Sequence, residues 1–341
     1  MNNRRITGLI VIIVILGGFF LLSFREEKKS KLRQNKNIEF VTVGIPRPLA
    51  ETRDYNVIFK ELKEAGINGF LGSFLYQEVP EPKSLGYEAD FLPPCTADMP
   101  SLKALRENQI QLLIPADVLY TPGNMPPIDQ DPLKQLLACV GRNSVMGVLS
   151  YDEPVWNRIP LEAPRLLYKR VKEVDPSLPV FMVQAPLPAP ADSTEANYYF
   201  SEIKKYNLYA DVIGFDVYPI PTNVALLSTP YTKGKLATDY KALLSDYLKW
   251  LKENAAGKPI FIALQAFSYD DLGTEGMGVS TVQSKKPTAV ELADMIEIAK
   301  NNGVSYIAWF GPSYLTKEDM LFWQEVLAST KAFFAREQGA Q

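Results

Sequence analysis

Eight short apolar runs alternate with amphipathic stretches over about 300 residues, and loops leaving the runs are consistently longer than loops entering them. With an uncharged stretch at the N-terminus, these observations predict an α/β chain: a (β/α)8 TIM barrel with an N-terminal transmembrane helix.

The first element is the run from Ile6 to Phe24, which follows Arg4 and Arg5 and carries no charge. At about 1.5 Å per residue it reaches roughly 28 Å, near the thickness of a bilayer core. It is apolar on every face, unlike a surface helix. It is also longer than the apolar region of a cleaved signal, for which Gly17, Gly18 and Ser23 make a poor cleavage site. The expectation is an uncleaved signal-anchor over residues 1–24, a charged, solvated linker over 25–38, and the barrel over 39–341. Two basic residues precede the span and six follow it, a bias that favours a cytoplasmic domain. A signal-anchor with a folded domain behind it commonly exports that domain, and an extracytoplasmic barrel is expected on that ground.

Strands are predicted at 40–44, 69–74, 111–115, 145–151, 180–184, 212–218, 260–265 and 305–310. Most are rich in β-branched or aromatic side chains and are bounded by turn-forming residues. Helices are predicted at 55–65, 99–108, 131–140, 163–174, 195–206, 238–254, 288–301 and 317–336. Thr288, with Glu291 three residues on and Pro287 before it, spells a capping box. Returns from helix to strand are short, as at 107–109 and 141–144. Departures from strand to helix are long and rich in aromatics or proline, as at 75–98, 219–237 and 266–287. In barrels the loops at the C-terminal strand ends build the site. A doubly wound sheet is disfavoured, because no Gly-rich phosphate turn follows the first strand.

Composition narrows the chemistry. Apolar residues make up 47% and charged residues 22% of the chain, as in an ordinary globular core. There is no histidine, which removes His triads, His proton shuttles and imidazole zinc sites. The two cysteines, Cys95 and Cys139, leave room for one bridge but not for a disulfide framework or a Cys-rich metal site. Residues 39–341 carry a net charge of −9, which makes nucleic acid an improbable partner. Proton transfer must run on Asp, Glu, Tyr or Lys. No cofactor is expected. Asp270, Asp271 and Glu275 lack the spacing of an EF-hand loop and read as solvated, so no metal is expected either.

The stretch Val148-Leu-Ser-Tyr-Asp-Glu-Pro154 decides where the chemistry belongs. An apolar strand climbs into Asp152 and Glu153 and is stopped by Pro154, delivering two acids to the sheet rim, where unpaired charge is costly. Other strand ends bring Arg47, Asp117, Tyr151, Gln184, Asp216, Tyr218, Gln265 and Trp309. Alternation on the sixth strand puts Asp216 and Tyr218 on one face, and on the seventh Ala263 and Gln265. A rim of Tyr76, Tyr87, Tyr120, Tyr151, Trp156, Tyr269, Trp309 and Tyr314 suits a carbohydrate, whose C–H faces pack on aromatic rings.

Asp-Glu-Pro ending strand four and Trp309 ending strand eight resemble the clan A glycoside hydrolases, over roughly residues 39–335. The resemblance implies that Glu153 is the general acid/base, with Asp152 in place of the usual Asn. It also puts Gln265 where the nucleophilic glutamate stands, and an amide cannot attack an anomeric carbon. Asp-Val-Ile-Gly-Phe-Asp-Val-Tyr-Pro, Lys-Pro-Ile-Phe-Ile-Ala-Leu-Gln-Ala-Phe and Pro-Thr-x-x-Glu-Leu are similar to a poorly characterised glycosidase-like branch that also carries Gln there. Asp152-Glu153 is similar, in addition, to the acid pair of hexosaminidases, in which the Asp manages the substrate acetamide. The second carboxylate is then Asp152, with retention, or Asp216 activating water about 6.5–9.5 Å from Glu153, with inversion. The expectation is a membrane-anchored, glycosidase-like enzyme acting on a carbohydrate. The alternative is a catalytically silent carbohydrate-binding barrel on the same tether. Oligomeric state is not legible.

Overall fold

The computed structural model describes residues 38–72, 91, 95–232, 234–272 and 284–339. The chain divides into residues 1–37 and a unit from Ile38 onward. The expected anchor, and all but the last residue of the linker, lie outside the described residues. Among those described, no helix is long and apolar enough to cross a membrane.

Eight parallel strands close into a barrel in chain order. They are β1 (Glu39–Val43), β2 (Ile67–Leu71), β3 (Gln111–Pro115), β4 (Val145–Leu149), β5 (Val180–Gln184), β6 (Val212–Val217), β7 (Ile260–Gln265) and β8 (Tyr306–Phe310). β8 closes on β1 in unbroken register from Glu39 opposite Tyr306 to Val43 opposite Phe310. β3, β5 and β7 match the expected bounds. β4 and β6 end earlier; beyond β4 the chain bends away after Ser150, whose N–H makes a last bond to Phe181 O at 2.8 Å.

The helices are α1 (Arg47–Thr52), α2 (Tyr55–Glu64), α3 (Pro100–Glu107), α4 (Pro132–Val140), α5 (Glu162–Val174), α6 (Ser193–Tyr206), α7 (Thr222–Ala225), α8 (Tyr240–Asn254), α9 (Ala289–Asn301) and α10 (Met320–Gly339). Side chains set several starts. Asp54, Asp131, Asp192 and Asp239 each accept a first-turn N–H, and the Thr288–Glu291 capping box forms in both directions. The short α1 and α7 are too brief to show a helical period in the sequence. Cys95 and Cys139 are bridged, tying the segment before α3 to α4.

The helix layer buries the outer faces of the strands. Phe215 of β6 packs its ring 4.8 Å from that of Tyr247 on α8. Trp309 of β8 is fully buried and donates Nε1–H to Thr330 Oγ1 of α10 at 2.9 Å. Alternation then sends Gly214 and Asp216 of β6 inward, and Asp216 pairs with Ala263, which pairs with Ala308. One inward layer thus ends at Asp216.

Candidate active site

Glu153 stands at the first turn beyond β4 with φ of +38°, a conformation that costs a residue bearing a Cβ on the order of 1 kcal/mol or more. Neighbours hold it there. Asn157 donates its backbone N–H to Glu153 O and its side-chain amide to Asp152 O, both at 2.9 Å. Gln184 accepts the Val155 N–H at 3.3 Å. Backbone strain secured in this way aims a side chain.

That side chain meets Asp216. The two carboxyls are hydrogen-bonded across the end of β5. Burial and the neighbouring negative charges of Glu153 and Asp152 push Asp216 far above the usual carboxylate range, so the two carboxyls retain a proton between them. Burial also raises Glu153, and the bond from Asp216 moderates the rise. Asp152 is pushed up to about 7 by loss of solvation, then by Glu153 and Asp117. Asp117, in the turn after β3, is raised by loss of solvation. Asp117 and Asp152 nevertheless reach solvent and Glu153 is half-buried, whereas Asp216 is buried. Groups open to water yet crowded by protein are what the wall of a cleft presents.

An aromatic wall completes the mouth on the β6–β8 side. Tyr218 stacks on Phe310, with centroids 4.8 Å apart and planes at 19°, and meets Phe267 edge-on at 5.1 Å. Tyr269 donates its hydroxyl to Tyr218 O, and Tyr314 packs on Phe310 at 6.1 Å. Gly311, with φ of +108°, makes room: a Cβ there would lie 2.5 Å from Phe267 Cβ.

The structure thus brings Asp117, Tyr151, Asp152, Glu153, Asp216 and Tyr218 to one end of the barrel. Other expected contributors are engaged differently. Trp309 is a correction: it points into the helix layer, and its neighbour Phe310 takes the mouth position. Gln184 is another, since it pairs in register with Phe215 on the helix side and supports the Glu153 loop from behind. Tyr120 gives its hydroxyl to buried Asp131 at 2.7 Å, an acid also paired with Arg170 at 2.5 Å, so it belongs to an internal network. Arg47 opens α1 and spends its Nε–H on Ser313 O at 3.4 Å. Gln265 sits under the mouth but is fully buried. Its Oε1 accepts Ile220 N–H at 2.8 Å, and its Nε2 donates to Ile220 O at 2.6 Å and Phe267 O at 3.1 Å. Trp156 is 49% exposed in the Glu153 loop, and Tyr76 and Tyr87 lie outside the described residues.

The expected 6.5–9.5 Å gap between Glu153 and Asp216 is also corrected, because the carboxyls touch. Phe267 and Phe310 went unrecognised, although counting alternate positions from Ala308 leads to Phe310. A cavity of about 220 Å³ flanks the β6 loop between Pro221 and Tyr240. None of Asp152, Glu153 and Asp216 lines it, and of its charged liners Asp239, Lys285 and Glu291 the last two pair with each other at 2.8 Å.

Solved structures with this architecture include glycosidases. The β-galactosidase of the psychrophilic Marinomonas ef1 superposes with a TM-score of 0.53 at 9% identity, over 89% of this chain and 60% of that one. A Bacteroides thetaiotaomicron protein assigned as an α-L-fucosidase gives 0.52 at 11% identity, over 87% and 94%. The β-galactosidase of the haloarchaeon Halorubrum lacusprofundi gives 0.51 at 9% identity, over 87% and 58%. The fold is a glycosidase-like (β/α)8 barrel. This chain spans about three fifths of the two β-galactosidases, and at such identities the likeness is one of fold. No protein-family model and no curated protein matches the sequence.

Proposed function

We propose that the chain is a glycoside hydrolase with Glu153 as general acid/base, Asp216 as its proton partner and Asp152 as second carboxylate. The observation that carries this reading is the hydrogen-bonded Glu153–Asp216 pair at the mouth of the barrel. A leaving glycosidic oxygen needs a donor protonated near neutral pH, and a carboxyl pair sharing one proton in a poorly solvated site provides it. Contact with Glu153 occupies Asp216 as the proton store, so activation of water falls to Asp152. Its carboxyl titrates near 7 and is ionised in a useful fraction of molecules. The water oxygen bonds to the anomeric carbon as its proton passes to Asp152. The glycosidic C–O bond breaks, and its oxygen takes, through Glu153, the proton that the Glu153–Asp216 pair shares. Aromatic side chains such as Trp156 offer a stacking surface for sugar rings.

The test is a screen of aryl glycosides, including N-acetylhexosaminides, with the full-length protein and its Glu153→Gln variant. Turnover with inversion, abolished by Glu153→Gln, supports the scheme. Retention on N-acetylhexosaminides would move Asp152 to polarising a substrate acetamide. Sugar binding without turnover, unchanged in Glu153→Gln, would replace hydrolysis by simple binding.

The barrel in this reading sits outside the cytoplasm, anchored by residues 1–24. The Cys95–Cys139 bridge supports that side, because disulfides persist in oxidising compartments. Protease protection of the barrel in intact cells stripped of any wall would place it inside and sink the assignment.

A further inference from the structure

We infer that the sugar bound at this mouth carries a free ammonium group, as an unacetylated hexosamine does. Asp117, Asp152, Glu153 and Asp216 converge there, and none of them has an ion-pair partner among the described residues. Arg47, the basic residue expected at the rim, is turned to a backbone carbonyl. Two further observations point to a missing donor-rich ligand. Asp216 Oδ1 and the Tyr151 hydroxyl are buried without a hydrogen-bond partner, in residues 8% and 2% exposed. Tyr151 lies within electrostatic reach of Asp117. Leaving a buried acceptor unsatisfied is costly, and the cost is recovered when a ligand donates to it.

Charge and shape then select the class. No group of three or more acids among the described residues is arranged to hold a metal ion. A primary ammonium brings three donors and one positive charge on a sugar ring. A uronic acid would be repelled, and a neutral sugar would leave the carboxylates uncompensated. The chemistry agrees. An ammonium beside the anomeric carbon opposes the positive charge that develops there, and surplus carboxylates offset it.

This inference rests on the glycosidase reading, and the two are tested by separate readouts. Binding is measured by calorimetry on full-length Glu153→Gln, with glucosamine and galactosamine oligosaccharides against their N-acetylated and uronic acid counterparts. The amine forms are expected to bind at least 10-fold more tightly than the N-acetylated forms at 50 mM salt. That margin should shrink at 500 mM salt and narrow several-fold on Asp117→Asn. Equal or weaker binding of the amines, or a margin indifferent to salt, overturns the inference. Turnover by the unmodified protein is scored separately. Cleavage confined to neutral or N-acetylated glycosides leaves the enzyme and removes the ammonium. Salt-sensitive amine binding without cleavage of any substrate does the reverse.

Discussion

Glu153 and Asp216, which leave the barrel from strands separated by β5, are hydrogen-bonded to each other through their carboxyl groups. Two acids in contact cannot both ionise cheaply in a poorly solvated site, so the pair holds a proton at pH values where a lone carboxyl has lost it. The positive φ of Glu153 and the loop bonds around it maintain the contact.

Glu153→Gln removes the donor while keeping shape. Turnover should fall by about 10² to 10⁴-fold, whereas the melting temperature should hold or rise because a crowded acid is gone. Activity within a factor of two of the unmodified protein would put the proton donor elsewhere.

Asp216→Asn should stabilise the fold, and more so as pH rises. The Asp216 carboxyl is raised on folding, so its contribution to stability is complete below the unfolded value near 3.9. That contribution is lost as pH climbs through the folded value. An amide escapes this loss. The gain in melting temperature should therefore be larger at pH 8 than at pH 5, with activity reduced. An equal gain at both pH values would mean that the carboxyl is not protonated in the fold.

Asp152→Asn tests the second carboxylate. If ionised Asp152 activates water, kcat/KM should rise with pH through about 7, where that carboxyl titrates. The variant should lose most activity together with this rising limb. A limb that survives the substitution belongs to another group.

The barrel was legible because strand runs such as 111–115, 180–184 and 260–265 are continuous, short and bounded by turn residues. A closed parallel sheet covered by helices demands such runs. Asp152, Glu153 and Asp216 were legible from strand ends alone. What escaped was direction. Its place at a strand end puts Trp309 at the mouth in the sequence, although Ala308 faces inward and its neighbour must therefore face the helices. Gln184 and Gln265 were read as polar and hence as ligand-facing, but nothing in their own segments reveals the distant backbone of Val155 and Ile220 that claims their amides. Contact between Glu153 and Asp216 depends on a positive φ that no residue preference announces for glutamate.

Trp309→Phe separates packing from binding. The loss of its bond to Thr330 and of ring volume against α10 should cost about 2 kcal/mol. KM for any substrate found should stay unchanged. A raised KM in a variant of normal melting temperature would return Trp309 to the sugar.

Gln265→Glu puts on β7 the acid expected there from the resemblance to clan A glycosidases, yet it should not confer their chemistry. Nε2 of Gln265 donates to two carbonyls, Ile220 O and Phe267 O, in a fully buried setting. A glutamate there turns both contacts into oxygen facing oxygen. It must then bury a charge or take up a proton, which satisfies one carbonyl and strands the other. The β6 and β7 loops that carry Tyr218 and Phe267 hang on these bonds. The variant should lose on the order of 3 kcal/mol of stability, with the deficit widening as pH rises and the new acid ionises. Its turnover should be lower than that of the unmodified protein. If it instead accumulated a covalent glycosyl-enzyme detectable by mass spectrometry, residue 265 would reach the anomeric carbon, and its amide would be a replaced nucleophile rather than a clasp.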